Sequence, residues 1–313
     1  MNTTPIRRAW KPSPTLVIGV VFAFVGLLLG TYPFASSWLN EVNQSHAASR
    51  YVEEVSDDSL QKSELAKAEQ YNKALNMGVD LLSNERIPTS SGQLADNDLD
   101  YYSILSSSPS KIMSRLRIET IGVDLPIYHG TDDDTLLKGA GHLEGSSLPV
   151  GGENTHSVIT AHRGLANATM FDNLPKLEVG DTFTLETFGR ILTYKVTKIS
   201  TVEPEDTESL RVDSGHDLVT LVTCTPLGVN THRVLVTGER IWPTPAADLA
   251  RAGEPTHPGF PMWAVVFVLG TVGLGVLLWK LGYEKPRSES ETYANKPAKD
   301  QADRPARHRA DAC

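Results

Sequence analysis

Thr220-Leu-Val-Thr-Cys224-Thr-Pro-Leu-Gly-Val-Asn-Thr-His232-Arg233 joins two apolar β-like segments through a Pro/Gly/Asn loop. Branched residues on either side of such a loop favour strands, and the loop residues favour a turn. If the two segments pair as a hairpin, the Cys224 thiol and the Arg233 guanidinium meet at one end of a sheet. A thiol at a strand end is accessible, and a neighbouring cation favours its thiolate. Arg presents a planar fork of donors suited to an oxyanion or a substrate carbonyl. Acyl transfer through a thioester further needs a general acid for the leaving amine, and His is the usual choice.

Outward from this stretch the texture stays β-like. Short runs occur at 113–118, 125–128, 157–161, 182–187, 191–199, 218–223 and 232–241, broken by turn signals such as Pro149-Val-Gly151-Gly152 and Phe188-Gly189. Seven or so strands at this spacing predict an all-β barrel or sandwich. No sustained amphipathic helix separates them, which argues against a doubly wound α/β fold. Upstream, residues 41–82 carry Val52, Val55, Leu60, Leu65, Ala68, Tyr71 and Leu75 at helical spacing. The polar, Ser-rich segment 83–110 is a long connection of the kind that serves as a lid or stays disordered. Residues 243–258 form a Pro/Ala linker, and the charged tail from Lys280 is expected to be disordered.

Two apolar runs, residues 15–34 and 259–279, each hold about twenty residues without a charge. Twenty helical residues cross the roughly 30 Å hydrocarbon core of a bilayer. Arg7, Arg8 and Lys11 precede the first run, and Lys280, Lys285, Arg287 and Lys296 follow the second. Only Arg50 and Arg251 lie near the inner flanks, so both termini are expected in the cytoplasm and the intervening chain outside. The first run is too long for a signal-peptide core and lacks a good cleavage site, which favours a retained anchor. From Glu41 to Glu254 the chain carries 32 Asp and Glu against 18 Lys and Arg, a formal −14. Nucleic acid is a poor partner for such a surface. Cys224 and Cys313 are the only cysteines, and on this topology they cannot pair across the membrane. Cys224 is then a lone thiol in an oxidising compartment, where cysteine usually ends in disulfides.

Eight histidines lie between the apolar runs: His46, His129, His142, His156, His162, His216, His232 and His257. For each, a hydrogen-bonded structural role is the plainer reading. His162 has the best context, ending the run Ser157-Val-Ile-Thr-Ala161, although His142 stays open on these grounds. His232 adjoins Arg233, but alternation turns it to the opposite face. Asp132-Asp-Asp134 reads as a solvated acidic turn, and no metal or cofactor is expected. Asn167-Ala-Thr169 matches a glycosylation acceptor.

Thr220-Leu-Val-Thr-Cys224 followed by Arg233 resembles the TLxTC signature and Cys-to-Arg spacing of sortases. Ile159-Thr-Ala-His162-Arg-Gly164 resembles the sortase His segment. Gly141-His-Leu-Glu-Gly-Ser-Ser-Leu-Pro-Val-Gly-Gly152, Ile127-Tyr-His-Gly130 and, more weakly, Gln70-Tyr-Asn-Lys-Ala-Leu75 resemble the pilin-polymerising branch, class C. The resemblance implies a mainly β fold: an eight-stranded sortase-type barrel with an N-terminal helical segment and two transmembrane helices. It also implies a site of Cys224, His162 and Arg233. Cys224 would attack the Thr–Gly bond of an LPxTG-like signal, and His162 would move the amine proton. The acceptor would be a pilin lysine; anchoring to a cell-wall peptide amine, or a non-catalytic tethered module, are the rivals. The chain is accordingly divided into a cytoplasmic N-terminus (1–14), membrane helix (15–35), helical and lid-like segment (36–110), barrel (111–243), linker (244–258), second membrane helix (259–279) and cytoplasmic tail (280–313). Two departures stand out. Class C enzymes commonly carry an Asp-Pro-aromatic lid, whereas the nearest segment here is Asp98-Leu-Asp100-Tyr101-Tyr102, which makes Asp100 and Tyr101 the lid candidates. Position 227, often Tyr in that branch, is Leu.

Overall fold

The computed structural model describes residues 10–76, 100–254 and 259–283. Asp98, His257, Cys313 and most of the 83–110 connection lie outside them, as do residues 255–258 of the linker and the tail beyond 283. The chain divides into two compact units, Met1–Thr31 with Ala264–Cys313, and Tyr32–Trp263. Apolar sequence in the first unit forms the start of helix α1 (Pro14–Glu54) and helix α5 (Met262–Leu281), both long and apolar enough to cross a membrane. Within that unit Phe24 meets Phe267 with ring centroids 6.0 Å apart.

The second unit is built on eight strands: β1 (Ser114–Ile118), β2 (Val123–His129), β3 (Ala140–His142), β4 (Thr155–Thr160), β5 (Thr182–Thr187), β6 (Arg190–Val202), β7 (Asp217–Thr225) and β8 (His232–Arg240). They close in the order β1-β2-β3-β4-β7-β8-β6-β5. The pairs β2–β3 and β4–β7 are parallel and the rest antiparallel. Alternate residues of β7 and β8, Val219, Leu221, Val234 and Val236, fill the interior with Leu116, Ile127, Ile159 and Phe171. Their neighbours Val222 and Leu235 join Leu143 and Val158 in a second cluster on the outer face, against Val202 and Leu210. Both faces of β7 are therefore covered, which is why its sequence is an almost unbroken apolar run.

Three elements differ from the sequence reading. Strand β3 escaped it because Ala-Gly-His carries no β-branched side chain, yet it supplies the eighth strand between β2 and β4. The helical segment is two helices: α1 ends at Glu54, and α2 spans Asp58–Asn76. Asp57 starts the second, its Oδ1 accepting from the Leu60 amide at 2.8 Å, an N-cap that the Ser-Asp-Asp-Ser sequence signals. The described part of the 244–258 linker is docked rather than loose. After the short helix α3 (Asp133–Lys138), which follows β2, its successor α4 (Ala246–Ala250) lies in this linker and accepts from Thr193 Oγ1 through Asp248 at 2.7 Å. Arg115, fully buried on β1, clamps Asp124 bidentately at 2.7 and 2.8 Å and donates to the Glu254 carbonyl at 2.8 Å.

Helix α1 is fixed to the barrel by one buried face, Gln44, Ser45, Ala48 and Tyr51, at helical spacing. The β5–β6 hairpin turns on Phe188 and Gly189, whose φ values of 44° and 76° suit a two-residue I′ turn. Phe188 is an unusual residue for positive φ, and Tyr51 supports it there. The Tyr51 hydroxyl accepts the Phe188 amide at 2.8 Å and donates to the Met113 carbonyl at 3.0 Å, and the rings meet edge to face at 5.9 Å. Tyr51→Phe leaves a buried amide unpaired, an expected cost of about 1–3 kcal/mol. The thermal midpoint should fall by roughly 2–4 °C for each kcal/mol. An unchanged midpoint would show that Tyr51 acts through its ring alone.

Candidate active site

Strand register assembles the predicted residues. Cys224 pairs directly with Arg233 across β7 and β8, so their side chains share a face with Cβ atoms about 4.5–5.5 Å apart. On the other side of β7, the parallel register runs from Thr155 opposite Asp217 to Thr160 opposite Val222. It persists past the end of β4: the Ala161 amide donates to the Val222 carbonyl at 3.2 Å, and Thr223 Oγ1 donates to the Ala161 carbonyl at 2.9 Å. Continued one residue further, the same register would set His162 opposite Cys224. Ala161 faces the interior cluster, so alternation turns His162 outward. Val222 and Leu235, two residues from Cys224 and Arg233, belong to the outer cluster. Cys224 and Arg233 thus share the outer wall, His162 follows the end of β4 in the neighbouring register, and each of the three is partly exposed.

Cys224 is a free thiol. Among the described residues Arg233 donates through Nη1, to the Asn230 and His232 carbonyls at 3.0 and 3.1 Å. A guanidinium carries five N–H donors, so donors remain for a ligand while the fork is held at its root. His232 pairs with Thr225 in the register, on the alternate face from Arg233. Below the row, His156 stitches the outer face together. Its Nδ1 donates to the Arg211 carbonyl at 2.7 Å, leaving Nε2 to accept from Thr220 Oγ1 at 2.7 Å, and Thr220 in turn contacts Thr237 Oγ1 at 2.8 Å. Burial pushes His156 below the usual imidazole value. The connection between β6 and β7 is thereby clipped over the sheet.

His142, which the sequence left open, is in a different setting. Its ring is fully buried, Nε2 donates to the Ser147 carbonyl at 2.9 Å, and Nδ1 meets the Tyr101 hydroxyl at 2.9 Å. Burial pushes its pKa down to about 3. It is a neutral structural histidine with both nitrogens engaged. Tyr101 is buried with it, its ring against Tyr71, Tyr102, His129 and His142 and its hydroxyl accepting the Gly130 amide at 3.1 Å. Burial pushes the Tyr101 hydroxyl well above its ordinary value. Asp100 caps the following 3₁₀ turn by accepting the Tyr102 amide at 3.3 Å. Tyr102 is exposed and bonds Glu144 at 3.1 Å. The aromatic contacts of Tyr101 are thus with this cluster and not with Cys224. Asp132 caps α3, accepting from the Thr135 amide and hydroxyl at 2.9 and 2.8 Å, which accounts for the acidic turn.

Sequence reasoning passed over Arg163 and Asp172. Arg163 Nη1 donates to Thr225 Oγ1 at 3.2 Å and Nε to the Asp172 carbonyl at 3.3 Å, while the Asp172 carboxylate accepts the Gly164 amide at 2.5 Å. The available signal was a cationic side chain directly after a strand-end histidine. Gly164 has φ +81°, and Leu227 from the β7–β8 loop occupies the space a Cβ would need.

A family model described as Sortase domain matches residues 116–241. Sortase C-1 from Actinomyces oris is 49% identical, over 58% of this chain and 98% of that one, with a TM-score of 0.50. Sortase C from Streptococcus pneumoniae, a structure described for insight into catalysis and pilin substrate specificity, is 39% identical over 63% of this chain and 96% of that one, with a TM-score of 0.53. Sortase D of Bacillus subtilis is 33% identical over 129 residues, which span 40% of this chain and 62% of that protein, less than two thirds of its length.

A neutral His142 makes stability pH-dependent. Its unfolded form takes up a proton near 6.5 and its folded form only near 3. Stability is complete above the unfolded value and is lost as pH falls below it, at about 1.4 kcal/mol per pH unit. The thermal midpoint should therefore drop between pH 7 and pH 5. His142→Gln should start lower at pH 7 but lose less over the same interval; an equal loss would clear His142 of the effect.

Proposed function

The chain belongs to the sortase family, and on that premise we propose that it is a membrane-anchored cysteine transpeptidase that assembles pilins. The observation that supports this reading is the direct pairing of Cys224 with Arg233 across β7 and β8, with His162 two residues past the last β4–β7 pair, Thr160 opposite Val222. Cys224 as thiolate attacks the Thr carbonyl carbon of an LPxTG-like signal. Arg233 donates to the oxyanion, the C–N bond to Gly breaks, and His162 supplies the proton with which the Gly amine leaves. A lysine amine of the next pilin then attacks the thioester, passing its proton to His162, and the Cys224 thiolate departs as the isopeptide forms. No resident metal or cofactor enters these steps. The similarity to the pneumococcal enzyme supports a pilin as substrate. The two apolar helices and the basic residues outside them support a cell-membrane location, with the barrel extracytoplasmic and both termini cytoplasmic.

The test uses the full chain with a labelled LPxTG peptide, following adduct mass and turnover. Wild type should form a thioester adduct on Cys224, and Cys224→Ala none; an adduct on the Ala variant would overturn the nucleophile assignment. Arg233→Lys keeps the charge but loses the fork, and should slow turnover roughly 100- to 1000-fold. Offered a pilin lysine peptide and a cell-wall stem peptide together, the enzyme should transfer to the lysine. Transfer to the stem peptide alone would replace pilus assembly with surface-protein anchoring.

A further inference from the structure

Strand β4 stops at Thr160, so His162 lies beyond its last ladder residue. A side chain that must give and take a proton at a neighbouring thioester needs some other restraint, and the loop of residues 163–172 provides it. The Phe171 amide donates to the His162 carbonyl at 3.1 Å, and Asp172 accepts the Gly164 amide, so the loop closes on its own base. Across that base lies the half-buried Arg163. Its guanidinium reaches two acceptors on different segments: the Asp172 carbonyl within the loop, and the hydroxyl of Thr225, the residue after Cys224. From the far side, α1 holds the same loop. Thr169 Oγ1 donates to Glu41 Oε1 at 2.5 Å, and Asn40 Nδ2 donates to the Asn167 carbonyl at 3.2 Å.

We propose that Arg163 is a positioning residue that keeps His162 opposite Cys224 by linking the His162 loop to Thr225. The proposal rests on the assignment of His162 and Cys224 as proton carrier and nucleophile. A rigid, planar fork suits the task because its donors leave in fixed directions toward two separate oxygens; an ammonium group offers no such bridge. The acceptors are a carbonyl and a hydroxyl, so Arg163 acts through geometry, not by neutralising an acid. Misplacing a catalytic group by about 1 Å costs on the order of 100-fold in rate.

The experiment measures kcat and KM of the full chain on a labelled sorting peptide for Arg163→Ala, Arg163→Lys, Thr225→Val, Thr225→Ser and the Arg163→Ala/Thr225→Val double variant. Arg163→Ala should lower kcat by roughly 10- to 100-fold with little change in KM. Arg163→Lys should recover part of the loss, Thr225→Val should show a smaller loss, and Thr225→Ser should be near wild type. Because both residues make one link, the double variant should be no slower than Arg163→Ala alone, the non-additivity expected of coupled groups. Fully additive losses would overturn the link, as would a normal kcat in Arg163→Ala accompanied only by a lower thermal midpoint. If wild type forms no adduct on Cys224, the transpeptidase assignment fails and this inference with it. Wild-type adduct with unimpaired Arg163 variants sinks the inference alone.

Discussion

The parallel pairing of β4 with β7 is the constraint from which the rest of the site follows. Thr155 lies opposite Asp217 and Thr160 opposite Val222, and the same offset carried onward sets His162 against Cys224. A slip of one residue would turn one of the two partners into the barrel, because side chains alternate between faces. What prevents the slip is cover on both sides. Ile159 and Leu221 belong to the interior cluster, whereas Val158 and Val222 belong to the outer one. Core residues with no chemistry of their own therefore set the register on which the proposed site depends.

Buried polar groups hold this arrangement without contributing charge. His156 links the Arg211 carbonyl to Thr220, and His142 links the Ser147 carbonyl to Tyr101. In both, burial lowers the imidazole pKa and keeps the ring neutral. A neutral ring can donate at one nitrogen and accept at the other, which lets one side chain join two segments with opposite needs. Among the described residues a cluster of buried charges lies instead on β1, β2 and β5, where Arg115 meets Asp124 and lies 3.7 Å from Glu186. Arg115 also holds the end of the described linker through the Glu254 carbonyl.

The candidate site was most legible where polar residues coincided with strand ends. Cys224, His162 and Arg233 each adjoin an apolar run, so alternation and spacing brought them forward, and the sortase resemblance then chose His162 over His142. Strand β3 was hidden because a three-residue Ala-Gly-His segment has no propensity to read; its existence depends on partners distant in sequence. The docking of α4 was hidden for a similar reason, since Asp248 finds Thr193 only after the barrel closes. Asp100 and Tyr101 stood out as lid candidates because of their neighbours in sequence, and nothing in those neighbours foretold the cluster of histidines and tyrosines against which Tyr101 packs. Arg163 was passed over because adjacency to a histidine carries no sign of Thr225 and Asp172 at either end of its fork.

Closure of the barrel constrains how any extended segment can be recognised. Each of the eight described strands has a partner on both sides, and wherever both partners are in register no row of amide and carbonyl groups is left for another chain to zip onto. Backbone pairing of that kind would be indifferent to most side chains and would invite any stray strand. Over those stretches an extended segment docking on the outer wall would meet side chains and loops, among them the exposed Leu227 and Val229. What tells one docked segment from another would then lie in the loops, which can diverge freely while the ring of strands beneath them stays intact.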